Sequence, residues 1–132
     1  MRAVLDTNVV VSALTSKGPP AQLLRLWLEG AFEIVASPNL LDELSRTLSR
    51  PKIRRHIAQA DGAALVSLIE SGCLLMDDPT RDPTVRSSDP DDNFVIALAE
   101  HAKAVIVSGD KDLLELADRI PVWTPAQFLE RL

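Results

Sequence analysis

The amino-acid sequence predicts an α/β fold built around one mainly parallel, five-stranded sheet. Short apolar runs alternate with segments of helical period, and this order is typical of strands that are joined by helical crossovers. Hydrophobic residues make up 46% of the chain, which argues against a disordered polymer. With 132 residues, the chain is expected to form a single domain that spans residues 1–132.

The predicted elements are marked by apolar runs and by capping residues. The strand candidates are residues 2–6, 32–36, 73–76, 104–107 and 121–123. Helix starts are indicated where a capping residue precedes proline, as at Ser37-Pro38, Asp89-Pro90 and Thr124-Pro125. The proline-rich segment 77–90 has no apolar period and predicts a long loop, which is either functional or a plain surface connection.

The charge of the chain is acidic overall and unevenly distributed. The net charge is −5, yet residues 1–60 carry eight Lys/Arg against five Asp/Glu, whereas residues 61–132 carry six against fourteen. An acidic chain is not an obvious nucleic-acid binder, but its basic half could hold phosphates if metal ions offset part of the acidic half. No segment resembles a signal peptide or a membrane span, so a cytoplasmic protein without membrane contact is expected.

Four acids occupy positions at which a metal site could form. Asp6 ends the first strand candidate, Asp110 follows the fourth, Glu43 lies inside an early helix and Asp92 opens a late one. The carboxyl ends of parallel strands form the edge at which open α/β folds bind ligands. Carboxylates gathered there repel one another unless a cation lies between them, and oxygen ligands favour a hard ion such as Mg²⁺ or Mn²⁺.

Each of these acids also has a simpler structural explanation. Asp6 and Asp110 could cap the helices that follow them, and Asp112 could cap the same helix or reach a metal through water. Glu43 could be an ordinary solvated helix residue, or it could pair with Arg46 or Thr47. The joint placement of the acids therefore carries more weight than any single one.

The identity of the third acid is open between two neighbours. Asp91 and Asp92 both lie in the helix start that Asp89 is predicted to cap, and the helix dipole favours acids there. Asp92 fits the spacing to the apolar positions Val95 and Ala99 better than Asp91 does.

Four motifs of the chain together resemble those of PIN domains. They are Asp6-Thr7-Asn8 after the first strand, Leu41-Asp42-Glu43-Leu44 in an early helix, Asp89-Pro90-Asp91-Asp92-Asn93-Phe94 at the late helix and Ser108-Gly109-Asp110-Lys111-Asp112-Leu113-Leu114 after the fourth strand. They follow one another in order along essentially the whole chain. In particular, the chain resembles the VapC-like toxin components of toxin–antitoxin systems.

The resemblance implies a three-layer α/β/α sandwich around the parallel sheet and the activity of a metal-dependent endoribonuclease. It also implies an RNA substrate, a cognate antitoxin protein as partner, and a homodimer. The implied catalytic acids are Asp6, Glu43, Asp92 and Asp110; the implied Mg²⁺ or Mn²⁺ ligands are Asp6, Asp92, Asp110 and Asp112; the supporting polar residues are Thr7, Asn8 and Ser108.

Basic residues are concentrated in one short stretch of the chain. This cluster could hold RNA phosphates, could dock an acidic segment of a partner, or could be a solvated junction between helices. Its members are Arg46, Arg50, Lys52, Arg54 and Arg55.

Two alternatives from other functional classes are compatible with the same order of elements. A receiver-type signalling domain would require paired acids after the first strand and a lysine after the fifth. This chain has Asp6 alone and Thr124-Pro125 at these positions. A PIN fold that binds RNA or a partner protein without cutting remains open, because a sequence does not reveal turnover.

Overall fold

A parallel sheet of five strands forms the centre of the molecule in the computed structural model, which describes residues 1–132. The sheet order is β3-β2-β1-β4-β5, and every neighbouring pair is parallel. The predicted sheet is thus confirmed, with each strand one or two residues shorter than its apolar run. The strands are β1 (Arg2–Leu5), β2 (Glu33–Ala36), β3 (Leu74–Leu75), β4 (Val105–Val107) and β5 (Val122–Trp123).

The helices begin at the capping residues that the sequence indicates. The Ser37 hydroxyl accepts a hydrogen bond from the Leu40 N–H group at 3.3 Å, and Thr124 and Gln127 form a reciprocal capping box. None of the helices combines the length and the apolar character needed to cross a bilayer. The helices are α1 (Thr7–Thr15), α2 (Pro19–Leu28), α3 (Pro38–Leu48), α4 (Pro51–Arg54), α5 (Gln59–Gly72), α6 (Asn93–Ala102), α7 (Lys111–Leu114) and α8 (Pro125–Arg131), and a 3₁₀ turn at Pro90–Asp92 precedes α6.

Two apolar cores lie on opposite faces of the sheet. Ala3 and Leu5 of β1 pack in one core with α1, α2, α5, α8 and most of α3, whereas Val4 packs in the other core with α6 and α7. Successive side chains of a strand point to opposite faces, which explains why neighbours in β1 belong to different cores. The three-layer sandwich implied by the resemblance is therefore confirmed.

The order of the strands creates a crevice at the end of β1. Chain order runs outward from β1 through β2 to β3 on one side, whereas β4 and β5 lie on the other side. The carboxyl ends of β1 and β4 thus flank the topological switch point, where open α/β sheets bind ligands. Receiver domains instead have the order 2-1-3-4-5, so the observed order excludes the signalling alternative.

Candidate metal and active site

A buried hydroxyl joins the end of β1 to the end of β4. The Asp6 N–H group donates to the Val107 carbonyl at 2.9 Å, which extends the pairing of the strands by one residue. The Ser108 hydroxyl donates to Asp6 Oδ2 at 2.8 Å and accepts from the Asp110 N–H group at 2.9 Å. Ser108 has an exposed fraction of 0%. It therefore holds Asp6 in place relative to the loop that carries Asp110.

Asp110 has the helix-capping role that its sequence position allowed. It is the N-cap of α7, and its Oδ1 atom accepts from the Asp112 N–H group at 3.1 Å. Capping uses one carboxylate oxygen, so the other can still bind a ligand. Asp112 is half-buried in the first turn of α7, and its Oδ1 atom accepts from the Ser88 hydroxyl at 3.1 Å.

Burial and a neighbouring charge change the acidity of Asp6. Its pKa is raised, first by burial and also by the negative charge of Asp110, while the Ser108 hydroxyl and the N–H groups of Asn8 and Thr7 lower it. The Asn8 side chain is exposed, so the backbone of this residue, more than its amide group, acts on Asp6. An acid with these neighbours would be ionised more readily next to a cation.

Asp92, and not Asp91, lies among the other acids. Asp89 caps the 3₁₀ turn by accepting from the Asp91 N–H group at 3.0 Å, and this arrangement leaves Asp91 exposed and Asp92 half-buried. The pKa of Asp92 is raised to about 7, first by burial, then by the negative charges of Asp110 and Asp89 and, to a smaller extent, of Asp6.

Glu43 reaches the same group of acids from α3. Its pKa is raised by burial and by the charge of Asp6, while the Thr7 hydroxyl and the guanidinium groups of Arg46 and Arg50 lower it. Glu43 forms no ion pair within 4.0 Å with either arginine. The Thr7 hydroxyl is buried and has no hydrogen-bond partner, so its effect on Glu43 is weaker than that of a formed bond.

The tightest group of carboxylates differs from the predicted set of metal ligands. Oxygen atoms of Asp89, Asp92 and Asp112 lie within 4.8 Å of one another, and Asp6 and Asp110 are not members of this group. The pKa shifts nevertheless show that Asp6 and Asp110 are close enough to act on Asp92. The acids therefore influence one another's charge, although only three of them are tightly clustered.

No basic side chain forms a salt bridge with these acids. The two salt bridges of the protein join Arg2 to Glu33 at 3.8 Å and Arg86 to Asp82 at 3.0 Å, and neither involves the group. Repulsion and burial keep the pKa values of three of the acids high. A set of carboxylate oxygens without a cationic partner fits a hard divalent ion such as Mg²⁺ or Mn²⁺.

Comparison with known proteins identifies the family. The sequence profile of the PIN domain family matches residues 2–112. The chain belongs to the PIN domain family. This PIN domain is 31% identical, over an alignment 141 positions long, to the uncharacterized protein MJ1680 of Methanocaldococcus jannaschii, and the alignment covers 98% of the chain and 90% of that protein.

A solved structure shares the fold of this PIN domain. It is VapBC2 from Rickettsia felis bound to a DNA fragment from its promoter, with a TM-score of 0.60. The superposition covers 93% of this chain and 97% of that chain, at 17% sequence identity. The likeness thus confirms the α/β/α architecture over nearly the entire length of both chains.

One further acid and two serines that contact the acids of this PIN domain do not appear among the site residues predicted from the sequence. The sequence predicts Asp89 only as a helix cap, and Ser87 and Ser88 belong to the segment that it predicts as a long loop. Ser87 donates to Asp92 and Ser88 donates to Asp112. Two hydroxyl residues directly before a cap are a local signal, but only the folded loop shows which carboxylates they contact.

The predicted basic cluster divides into two parts in the PIN domain. All five members are exposed or half-buried, and none forms a salt bridge. Arg46 and Arg50 lie close enough to Glu43 to lower its pKa. The remaining three lie in or directly after α4, where Arg54 donates a weak hydrogen bond to Gln59 at 3.4 Å.

Proposed function

We propose that this protein is a metal-dependent endoribonuclease that hydrolyses RNA phosphodiester bonds. The observation that carries the proposal is the convergence of acids from separate segments at the switch point of the sheet, without a salt-bridged basic partner. When bound, Mg²⁺ or Mn²⁺ would supply a Lewis acid and an acidified water molecule. Membership in the PIN domain family supports a nuclease.

Three acids are proposed to hold the ion directly. Asp6 is the central ligand, because Ser108 orients it and it lies between the β1 and β4 ends. Asp110 and Asp92 approach from the β4 loop and from the start of α6. Asp112, in the first turn of α7 behind Asp110, is proposed as an accessory ligand.

Glu43 is proposed to position the attacking water and to accept its proton. A general base works best when its pKa is close to the working pH, and burial together with the charge of Asp6 raises the pKa of Glu43. Its place on α3, on a different element from the three proposed ligands, suits a residue that acts on water instead of holding the ion.

The basic cluster is proposed to hold the RNA backbone. Arg46 follows Glu43 by three residues and lies on the same side of α3, and Arg50, just beyond the end of α3, also acts on Glu43. Guanidinium groups without a salt bridge at this place can bind the phosphates next to the cleaved bond. Lys52, Arg54 and Arg55 would extend the same surface, or would dock an acidic segment of a partner.

A toxin–antitoxin system is the proposed biological setting. The fold likeness to VapBC2 over nearly the whole chain supports a toxin of a type II system, with a cognate antitoxin protein as partner. A cytoplasmic location and a homodimer belong to this proposal. The alternative is a PIN fold that binds RNA or protein without cutting. The experiment below distinguishes it from the endoribonuclease.

The test is cleavage of a mixed, structured RNA by the purified protein with Mn²⁺, Mg²⁺ or EDTA. We expect metal-dependent cleavage that Asp6→Asn abolishes, and Asp61→Asn, an exposed acid in the first turn of α5, is the matched control. Full metal-dependent activity of Asp6→Asn would overturn the proposed site. Absence of cleavage by folded protein that is free of antitoxin would favour the alternative, a PIN fold that binds RNA or protein without cutting.

A further inference from the structure

The long loop between β3 and α6 is attached to two helices by hydrogen bonds before it reaches the acids. The Asp78 carboxylate accepts from the Asn39 N–H group at 3.1 Å, at the start of α3. Further along, Thr84 binds the Glu100 carboxylate through its N–H group, at 3.0 Å and 3.1 Å, and through its hydroxyl, at 2.8 Å. The loop is thereby attached both to the helix that carries Glu43 and to the helix that follows Asp92.

Beyond these attachments, Ser87 makes three hydrogen bonds at the start of α6. Its hydroxyl donates to Asp92 Oδ2 at 3.3 Å and accepts from the Asp89 N–H group at 3.1 Å, and its own N–H group donates to Asn93 Oδ1 at 2.9 Å. Ser87 is 9% exposed, so these contacts are protected from water. The residue connects the Asp89 cap to the Asp92 carboxylate.

Ser88 makes the corresponding contact to the other side of the crevice. Its hydroxyl donates to Asp112 Oδ1 at 3.1 Å across 24 positions of sequence. The two neighbouring hydroxyls thus bind two of the three carboxylates that approach within 4.8 Å. The second oxygens of Asp92 and Asp112 accept no hydrogen bond.

We propose that Ser87 and Ser88 are positioning residues, a strap of two hydroxyl groups that sets the orientation of Asp92 and Asp112. This inference rests on the proposed metal site. The terminal torsion of an aspartate is broad, so a donor on one oxygen also decides where the other oxygen points. Hydrogen bonds to ligating carboxylates typically change metal affinity by about 10–100-fold.

The experiment measures Mn²⁺ affinity of the full-length protein by calorimetry, independently of cleavage. We expect Ser87→Ala to weaken Mn²⁺ binding about tenfold and Ser87→Thr to retain most of the affinity, because threonine keeps the hydroxyl. Ser88→Ala should weaken binding less, since Ser88 is exposed and water can replace its hydroxyl. Thr84→Ala is the matched control, because Thr84 belongs to the same loop but binds Glu100, outside the acid group.

The outcomes separate the strap from the metal site itself. Wild-type affinity in both Ser87→Ala and Ser88→Ala, with Asp92→Asn impaired, overturns the positioning role and leaves the proposed function standing. An equal loss in Thr84→Ala also overturns it, because the effect would then come from general loosening of the loop. If Ser87→Ala does not fold, the Mn²⁺ affinity of Ser88→Ala tests the positioning role. Wild-type protein that binds no Mn²⁺ overturns the proposed function as well.

Discussion

At the scale of single residues, the orientation of each clustered carboxylate depends on which of its oxygens already accepts a hydrogen bond. Ser108 occupies one oxygen of Asp6, and Ser87 occupies one oxygen of Asp92. Polar side chains that cannot act as strong metal ligands thus determine how the proposed ligands point. A substitution of such a hydroxyl should change metal affinity before it changes the fold.

The raised pKa of Asp92 predicts an unusual pH dependence of stability without metal. Its folded pKa of about 7 exceeds the ordinary value of 3.8, so the folded protein holds the proton more tightly than the unfolded chain does. This contribution is fully present below pH 3.8 and is lost as the pH rises through about 7. We expect Asp92→Asn to raise the free energy of unfolding at alkaline pH by about 1 kcal/mol, after allowance for solvent screening.

The measurement is urea unfolding in EDTA at about pH 5 and about pH 8, on either side of the folded pKa. Asp91→Asn is the control, because this exposed neighbour has the same chemistry without the burial. An Asp92→Asn protein with the same pH dependence as the wild type would show that Asp92 is not the group responsible. Mn²⁺ affinity of the wild type should also increase as the pH rises through this range, because the metal binds the ionised carboxylate.

At the scale of secondary-structure elements, contacts between helices decide whether a glycine can be replaced by a residue with a Cβ atom. A Cβ atom at Gly72, the last residue of α5, would lie 2.9 Å from Cζ2 of the buried Trp27 in α2. A Cβ atom at Gly62, earlier in the same helix, would meet Leu48 at 3.6 Å, an ordinary contact. The two positions thus differ in packing although they share one helix.

Alanine should therefore have opposite effects at the two glycines. We expect Gly72→Ala to lower the free energy of unfolding by about 1–3 kcal/mol, because the Trp27 ring is held in the core and cannot move freely. Gly62→Ala should raise it by about 0.5–1 kcal/mol through better helix propensity. Chemical denaturation of both variants tests this, and an unchanged stability of Gly72→Ala would show that α5 shifts to accept the methyl group.

At the scale of the whole molecule, charge is separated along the chain. Residues 1–60 carry eight Lys/Arg against five Asp/Glu, and residues 61–132 carry six against fourteen. The fold brings part of the basic half next to the acids, since Arg46 and Arg50 act on Glu43. A net-acidic protein can then attract an anionic strand locally, and metal binding would strengthen this attraction.

The salt dependence of RNA binding tests this arrangement. We expect removal of both guanidinium groups in Arg46→Ala/Arg50→Ala to weaken binding of a single-stranded RNA by Asp6→Asn protein about tenfold or more. The slope of log affinity against log salt should fall by about 0.7 for each phosphate that the variant no longer neutralises. Fluorescence anisotropy at several salt concentrations measures both the RNA affinity and its salt dependence. Arg25→Ala on α2 is the control, and an equal weakening there would indicate only general electrostatic attraction.

Much of the fold is predictable from the sequence because its signals are local. Apolar runs, capping residues and prolines lie next to the elements that they specify, as Ser37 and Thr124 do for α3 and α8. Strand ends are less predictable, because pairing with a neighbour decides where a strand stops. The run at residues 73–76 shows this, since only Leu74–Leu75 pair with β2.

The features of the candidate site likewise divide into those that local sequence patterns predict and those that depend on contacts between distant segments. The sequence by itself determined the α/β class, the helix starts and the acids Asp6, Glu43, Asp92 and Asp110 as candidates, because these depend on local patterns. Only the tertiary structure decided the strand order, the position of Asp92 among the acids and the bonds from Ser87, Ser88 and Ser108. The physical reason is that these contacts join segments that are distant in sequence, and packing of two helical layers on the sheet brings them together.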